Sequence, residues 1–157
     1  MGDSVIQKII KLLLVLFFMI LIFSFSKENG NQSTKRSDSI ITYTVESIFH
    51  RKLTNHEKEF YIDKFVYVVR KSAHFLLYFL FGISVLSFIR EFVLLTWKSV
   101  LFSAFFVFIY ACSDEFHQLF ISGRSGEIGD VFIDTVGGFL GLSCYFKICD
   151  IRRRKNG

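Results

Sequence analysis

The chain reads as an all-α polytopic membrane protein with four transmembrane helices and an outer amphipathic interfacial helix, and three observations predict it. Apolar side chains make up 52% of the 157 residues, with 21 phenylalanines, more than a soluble core of this length needs. Charged residues gather into short segments between apolar runs, the segregation that a bilayer imposes. Four of those runs, 9–25, 73–89, 92–111 and 131–149, reach the roughly 17–25 residues needed to cross hydrocarbon. Together with an outer segment, 27–72, they are expected to form one membrane domain over 1–157.

The first run follows Lys8 and Lys11, and Ser24-Phe25-Ser26 has the small-x-small form of a signal-peptide cleavage site. Its apolar stretch is longer than the usual signal core, so a retained helix is expected. The outer segment is polar and poor in structure signals through about Ser39, and the sequon Asn31-Gln32-Ser33 is a chance-level match. Thr54-Asn55-His56-Glu57 then forms a capping box, in which hydroxyl and carboxylate satisfy orphan amides at a helix start. Phe60 or Tyr61, Phe65, and Val68 or Val69 follow at helical spacing, which suits a helix at the outer interface leading into the second span.

Basic residues beside a span resist translocation, and Lys8, Lys11, Arg90, Lys98 and the run Arg152, Arg153, Arg154, Lys155 all fall on one side. Both termini are therefore expected in the cytoplasm, and the stretch SDEFHQLFISGR at 113–124 at the outer face. The net charge of +5 is mostly this topology signal and implies no nucleic-acid partner. Cys112, Cys144 and Cys149 lie in or beside apolar runs without CxxC spacing and read as packing residues.

Helical spacing of three or four places side chains on one face. Lys71, His74 and Tyr78 form such a stripe on the second span. Tyr110, Asp114, His117 and Gln118 form another on the third if its helix continues through Gln118. Asp130 and Asp134 make a third on the fourth span, followed by Gly137, Gly138 and Gly141, of which the first and last have the small-xxx-small spacing of close helix contacts. Ionisable groups beside lipid are costly and face a bundle interior or cavity, so the stripes are expected to converge.

Such a network can simply hold helices in register, with Lys71 and Arg124 neutralising Asp114, Glu115, Asp130 and Asp134. Buried ion pairs are often replaceable by apolar residues without loss, so a cluster this large favours a site. His74, Asp114 and His117 are the candidates for acid/base work on a lipid-linked group, with Lys71 and Arg124 as phosphate holders. His74, His117, Asp114, Glu115 and Asp130 are suitable metal ligands by type, yet no HExxH or other ligand spacing is present, and neither metal nor cofactor is expected. A transporter is disfavoured because the polar residues do not reach through to the other side.

Lys71-x-x-His74-Phe75 with Tyr78, Asp114-Glu115-x-His117-Gln118, Gly123-Arg124, Asp130 and Gly137-Gly138-x-x-Gly141 together resemble the VanZ-like family of small bacterial membrane proteins. Ser122 stands where the family often has Pro, and Asp134 where Asn is common, which adds a negative charge to the site. The resemblance implies a bacterial cytoplasmic-membrane protein similar to the one that accompanies glycopeptide-resistance clusters and is associated with low-level teicoplanin resistance. On that reading Lys71, His74, Tyr78, Asp114, Glu115, His117, Gln118, Arg124, Asp130 and Asp134 line an outer-face site for a lipid headgroup or cell-wall precursor. The alternative is a membrane enzyme using His74, Asp114 and His117.

Overall fold

The computed structural model describes residues 2–27, 30–122 and 126–155, with side chains from residue 5 onward except 30–33. Five helices are found among them: α1 (Gly2–Ser26), α2 (Gly30–Phe49), α3 (Asn55–Ile89), α4 (Trp97–Gln118) and α5 (Ile128–Lys155). Four of these, α1 from Val5 together with α3, α4 and α5, are long and apolar enough to cross a membrane. The four-span architecture therefore stands, and its boundaries differ instructively from the expected ones.

Among the described residues, the helix expected at the outer interface after Thr54 is continuous with the second span and does not form a separate element. The capping box forms as expected: Thr54 Oγ1 accepts from the Glu57 amide, and the Glu57 carboxylate accepts from the Thr54 amide at 2.9 Å. The helix it starts then runs 35 residues without a break into the second span. The chain contains no proline, and the first glycine after Thr54 is Gly82, so nothing in the backbone chemistry stops it. At 1.5 Å per residue α3 is about 52 Å long against a hydrocarbon layer of about 30 Å. Its charged N-terminal half is thus an extension of a span.

The stretch through Ser39 that lacked structure signals is helical in α2. Its last residue is followed by His50 in the left-handed conformation (φ 51°), a common way to end a helix and turn the chain. Glu46 accepts the Leu53 amide at 3.0 Å and approaches Lys58 at 3.5 Å, while Phe49 meets Tyr61. These contacts hold α2 against α3, and the Leu53 amide, first among them, keeps the Glu46 carboxyl below its usual range. The third span begins at Trp97 instead of 92, because Thr96 and Ser99 form a second capping box after the turn at 90–96. It continues to Gln118, as the polar stripe on it requires.

Contacts fix the directions. Lys71 pairs with Asp130, His74 approaches Asp134, and Arg90 reaches Cys149, so α3 and α5 run parallel. Trp97 packs on Phe146 and Val107 against Gly138, so α4 runs against α5. Lys11 pairs with Glu91 while Phe23 stacks on His117, so α1 runs with α4. Tyr78, Phe81, Val85, Val107 and Ala111 pack with Val15 and Ile22 of α1, and Leu86, Val100 and Leu142 form a second apolar cluster.

Glycine brings α3 and α5 together. A Cβ on Gly137 would strike the Phe75 carbonyl oxygen, one on Gly141 the Phe79 carbonyl oxygen, and one on Gly82 the Gly138 backbone. The small-xxx-small pair on α5 thus meets backbone directly, as close membrane-helix contacts do. Exposed Ile9, Leu13, Phe17 and Ile20 on α1, and Phe102, Phe105 and Phe132 elsewhere, present the outward apolar surface that acyl chains solvate.

Candidate functional site

The polar stripes of α3, α4 and α5 meet at one end of the bundle, where α4 finishes, α5 begins and α3 passes through at 71–78. Gly137 lies against Phe75, so the backbone contact that clamps α3 to α5 sits one residue beyond His74 and three beyond Asp134. The glycines therefore set the distance across which these two side chains face each other.

Lys71 is paired with Asp130 and reaches Glu127 at 3.2 Å. Glu115 is buried; its Oε1 accepts from Gln118 Nε2 at 3.0 Å and its Oε2 from the Glu127 amide at 3.0 Å. That amide ties the start of α5 to α4. Gln118 Nε2 also approaches Asp114 Oδ2 at 3.4 Å, so one amide spans both acids.

Asp134 has a different environment. It is fully buried (0% exposed), and neither carboxylate oxygen has a hydrogen-bond partner among the described residues. Nδ1 of His74 stands 3.7 Å from its Oδ2, close enough for ionic attraction and too long for a hydrogen bond. Tyr78, also fully buried, has an unpartnered hydroxyl near Asp114 and Asp134. Ser26 at the end of α1 lies beside Asp114 without a hydrogen bond of good geometry. Buried polar groups are nearly always satisfied, so a focus of orphaned atoms calls for a cause.

His74, Asp114 and Asp134 each offer one ligand atom, and these three atoms lie within 4.8 Å of one another. His117 is not in this group. Its ring stacks on Phe23 of α1, with centroids 4.8 Å apart and planes at 27°, and its Nε2 is buried without a partner. Nearby Tyr110 donates to the Met19 carbonyl at 2.7 Å, which fastens α4 to α1. Of the expected residues, Lys71, His74, Tyr78, Asp114, Glu115, Gln118, Asp130 and Asp134 gather at this end, while Arg124 and Gly123 lie outside the described residues.

Ser26, Phe23, Glu127 and Gly82 have places at the site that sequence reasoning did not assign. Glu127 lies just before α5, outside the polar stripes that helical spacing marks, and Gly82 had no glycine partner on its own helix to mark it. The α1 residues carried no usable signal, since their partners on α4 lie more than eighty positions away in the chain.

The arrangement has more acceptors than donors. The Lys71 ammonium is held by Asp130 and Glu127; among the described residues the inner acids Asp114 and Asp134 face the His74 imidazole, the Gln118 amide and the hydroxyls of Ser26 and Tyr78. Charges withdrawn from water cost several kcal/mol each unless they are compensated. Among the described residues, Asp114 and Asp134 are thus inner acids with no cationic side chain of Lys or Arg paired to them, and Lys71 lies at the margin.

No curated protein and no solved structure matches the chain. The model of the VanZ/LLP1 family matches residues 11–150, from the first span to the end of the fourth, including every helix that forms the site. The chain belongs to the VanZ/LLP1 family.

Proposed function

We propose that the polar end where α3, α4 and α5 converge engages the charged headgroup of an envelope lipid or lipid-linked cell-wall precursor at the outer face of the bacterial cytoplasmic membrane. The convergence of Lys71, His74, Asp114 and Asp134 from three helices, with buried polar atoms left unpaired, carries this reading. Lys11, Lys8, Arg90 and the α5 tail lie at the opposite end of the bundle, and basic residues beside spans favour the cytoplasm. That supports an outward-facing site and termini on the cytoplasmic side.

The family name supports a link to glycopeptides, which act outside the membrane on peptidoglycan precursors. A protein that holds such a precursor or its neighbouring lipid alters the target that teicoplanin meets. The enzyme alternative has His74 and Asp114 side by side, whereas its third member, His117, is stacked on Phe23. Binding without turnover is accordingly the reading we adopt.

The test is the set of lipids that co-purify with the protein, measured by mass spectrometry, together with teicoplanin susceptibility of cells that express it. Lys71→Met and His74→Gln should lose the retained headgroup class and any change in susceptibility while the protein accumulates normally. Loss of accumulation in step with loss of phenotype would show that the cluster only holds helices together. Cysteine labelling in intact cells should mark position 122 and leave position 154 protected, and the reverse pattern overturns the orientation.

A further inference from the structure

We infer that His74, Asp114 and Asp134 form a binding site for one divalent transition-metal ion. The ligand atoms come from three separate helices and lie within 4.8 Å of one another. Their chemistry is mixed: imidazole suits zinc, iron or nickel, and carboxylate suits manganese or magnesium, so together they fit a borderline ion such as Zn2+ or Mn2+. Three protein ligands with an open position is also the form of exchangeable or reactive zinc sites.

Asp134 is the independent observation. Its carboxylate is entirely buried, and both oxygens lack a hydrogen-bond partner among the described residues. His74 Nδ1 stands 3.7 Å from Asp134, beyond hydrogen-bond length, and the Lys71 ammonium is already held by Asp130 and Glu127. A cation between the three side chains satisfies Asp134 and offsets two inner negative charges, with the Tyr78 hydroxyl near both acids.

The surroundings match what metal ligands normally have. Gln118 donates toward Asp114 and is held in turn by Glu115, which accepts the Glu127 amide. Such outer partners fix the orientation of a ligating carboxylate. The Gly137 contact with Phe75 holds the α3 and α5 ligands at a set separation. Zinc ligands sit about 2.0–2.2 Å from the ion, so the three ligand atoms, within 4.8 Å of one another, surround a space of the right scale for one ion.

This inference is independent of which headgroup the site meets: metal content reads it alone, and co-purified lipids read the other. The experiment uses the full chain, stripped with EDTA in detergent or nanodiscs and titrated with Zn2+, Mn2+ or Mg2+. Stoichiometry is measured by elemental analysis after desalting and affinity by calorimetry. One ion per chain is expected, with a rise in melting temperature. Asp134→Asn and His74→Gln should weaken binding by more than the 10–100-fold expected for the outer partner Gln118→Ala. Glu91→Ala, far from the site, should bind as the unaltered protein does.

Co2+ in place of the ion should show ligand-field absorption without a thiolate band, because the ligands are nitrogen and oxygen. Should Asp134→Asn fail to accumulate, His74→Gln and Asp114→Asn give the same reading. Binding of none of the three ions, affinity unchanged in these variants, or a thiolate band pointing to Cys112, Cys144 or Cys149 would each overturn the proposal.

Discussion

The two ends of the bundle handle polar groups in opposite ways. Where α3 and α5 finish and α4 begins, Arg90 donates to Cys149 Sγ at 3.0 Å and to the Tyr145 hydroxyl at 3.4 Å, Tyr145 reaches Ser87, and Lys11 pairs with Glu91. At the other end Asp134, Tyr78, Ser26 and His117 keep polar atoms buried with no hydrogen-bond partner among the described residues. A network that serves only to fasten helices resembles the first end, because pairing is what lowers its energy. The second lacks such pairing among the described residues, and on our proposal a bound group supplies it.

The glycine clamp is common to both ends, so breaking it should produce the largest effect. Gly141→Leu forces a side chain into the Phe79 carbonyl and parts α3 from α5. We expect a loss of about 1–3 kcal/mol or failure to accumulate, read by membrane abundance and thermal unfolding. Normal abundance and melting would mean that the helices do not meet as described.

Arg90→Ala removes the paired end's central donor and should cost about 1 kcal/mol. No change would indicate that this end is as loosely fixed as its counterpart. A smaller effect, under about 1 kcal/mol, is expected from Glu91→Ala, whose partner Lys11 is only partly covered. The Lys11 ammonium, first among several causes, holds the Glu91 carboxyl below its usual range. A depressed carboxyl adds stability above its unfolded pKa of roughly 4 and loses it as pH falls through the folded value. The melting difference between Glu91→Ala and the unaltered protein should therefore shrink in acid; a difference that grows in acid contradicts the pairing.

Tyr78→Phe deletes a fully buried hydroxyl that has no hydrogen-bond partner among the described residues. Its effect on stability should be close to zero or slightly favourable, the inverse of Arg90→Ala. A loss of more than about 1 kcal/mol would reveal a hydrogen bond where none is described.

Much of this was legible in the chain. Apolar runs and the absence of proline mark the spans, and the glycine pair marks the α3–α5 contact. Asp114, Gln118, Asp130 and Asp134 were legible because helical spacing fixes a face before any partner is known. His117 shares the α4 face of Asp114 as its spacing implies, but its stacking on Phe23 was not legible, because packing against α1 decides which neighbour each side chain meets. Helix α2 was missed because its sequence is polar and its contacts, such as Glu46 to the Leu53 amide, form only once the chain has turned at His50. The grouping of His74 with Asp114 and Asp134 was missed as a ligand set because spacing rules describe one helix at a time.

The central claim is that the unpaired end is a site and not a fastening, and Asp134→Asn tests it most directly. The substitution keeps the volume and removes the charge. Melting temperature should be measured in EDTA, where no divalent ion contributes, beside metal and lipid retention without EDTA. We expect the variant in EDTA to melt at or above the unaltered protein, since it no longer buries an uncompensated carboxylate, while its retained metal and headgroup fall away. A variant that melts several degrees lower in EDTA yet retains the same metal and lipids would contradict the account and make Asp134 a structural residue.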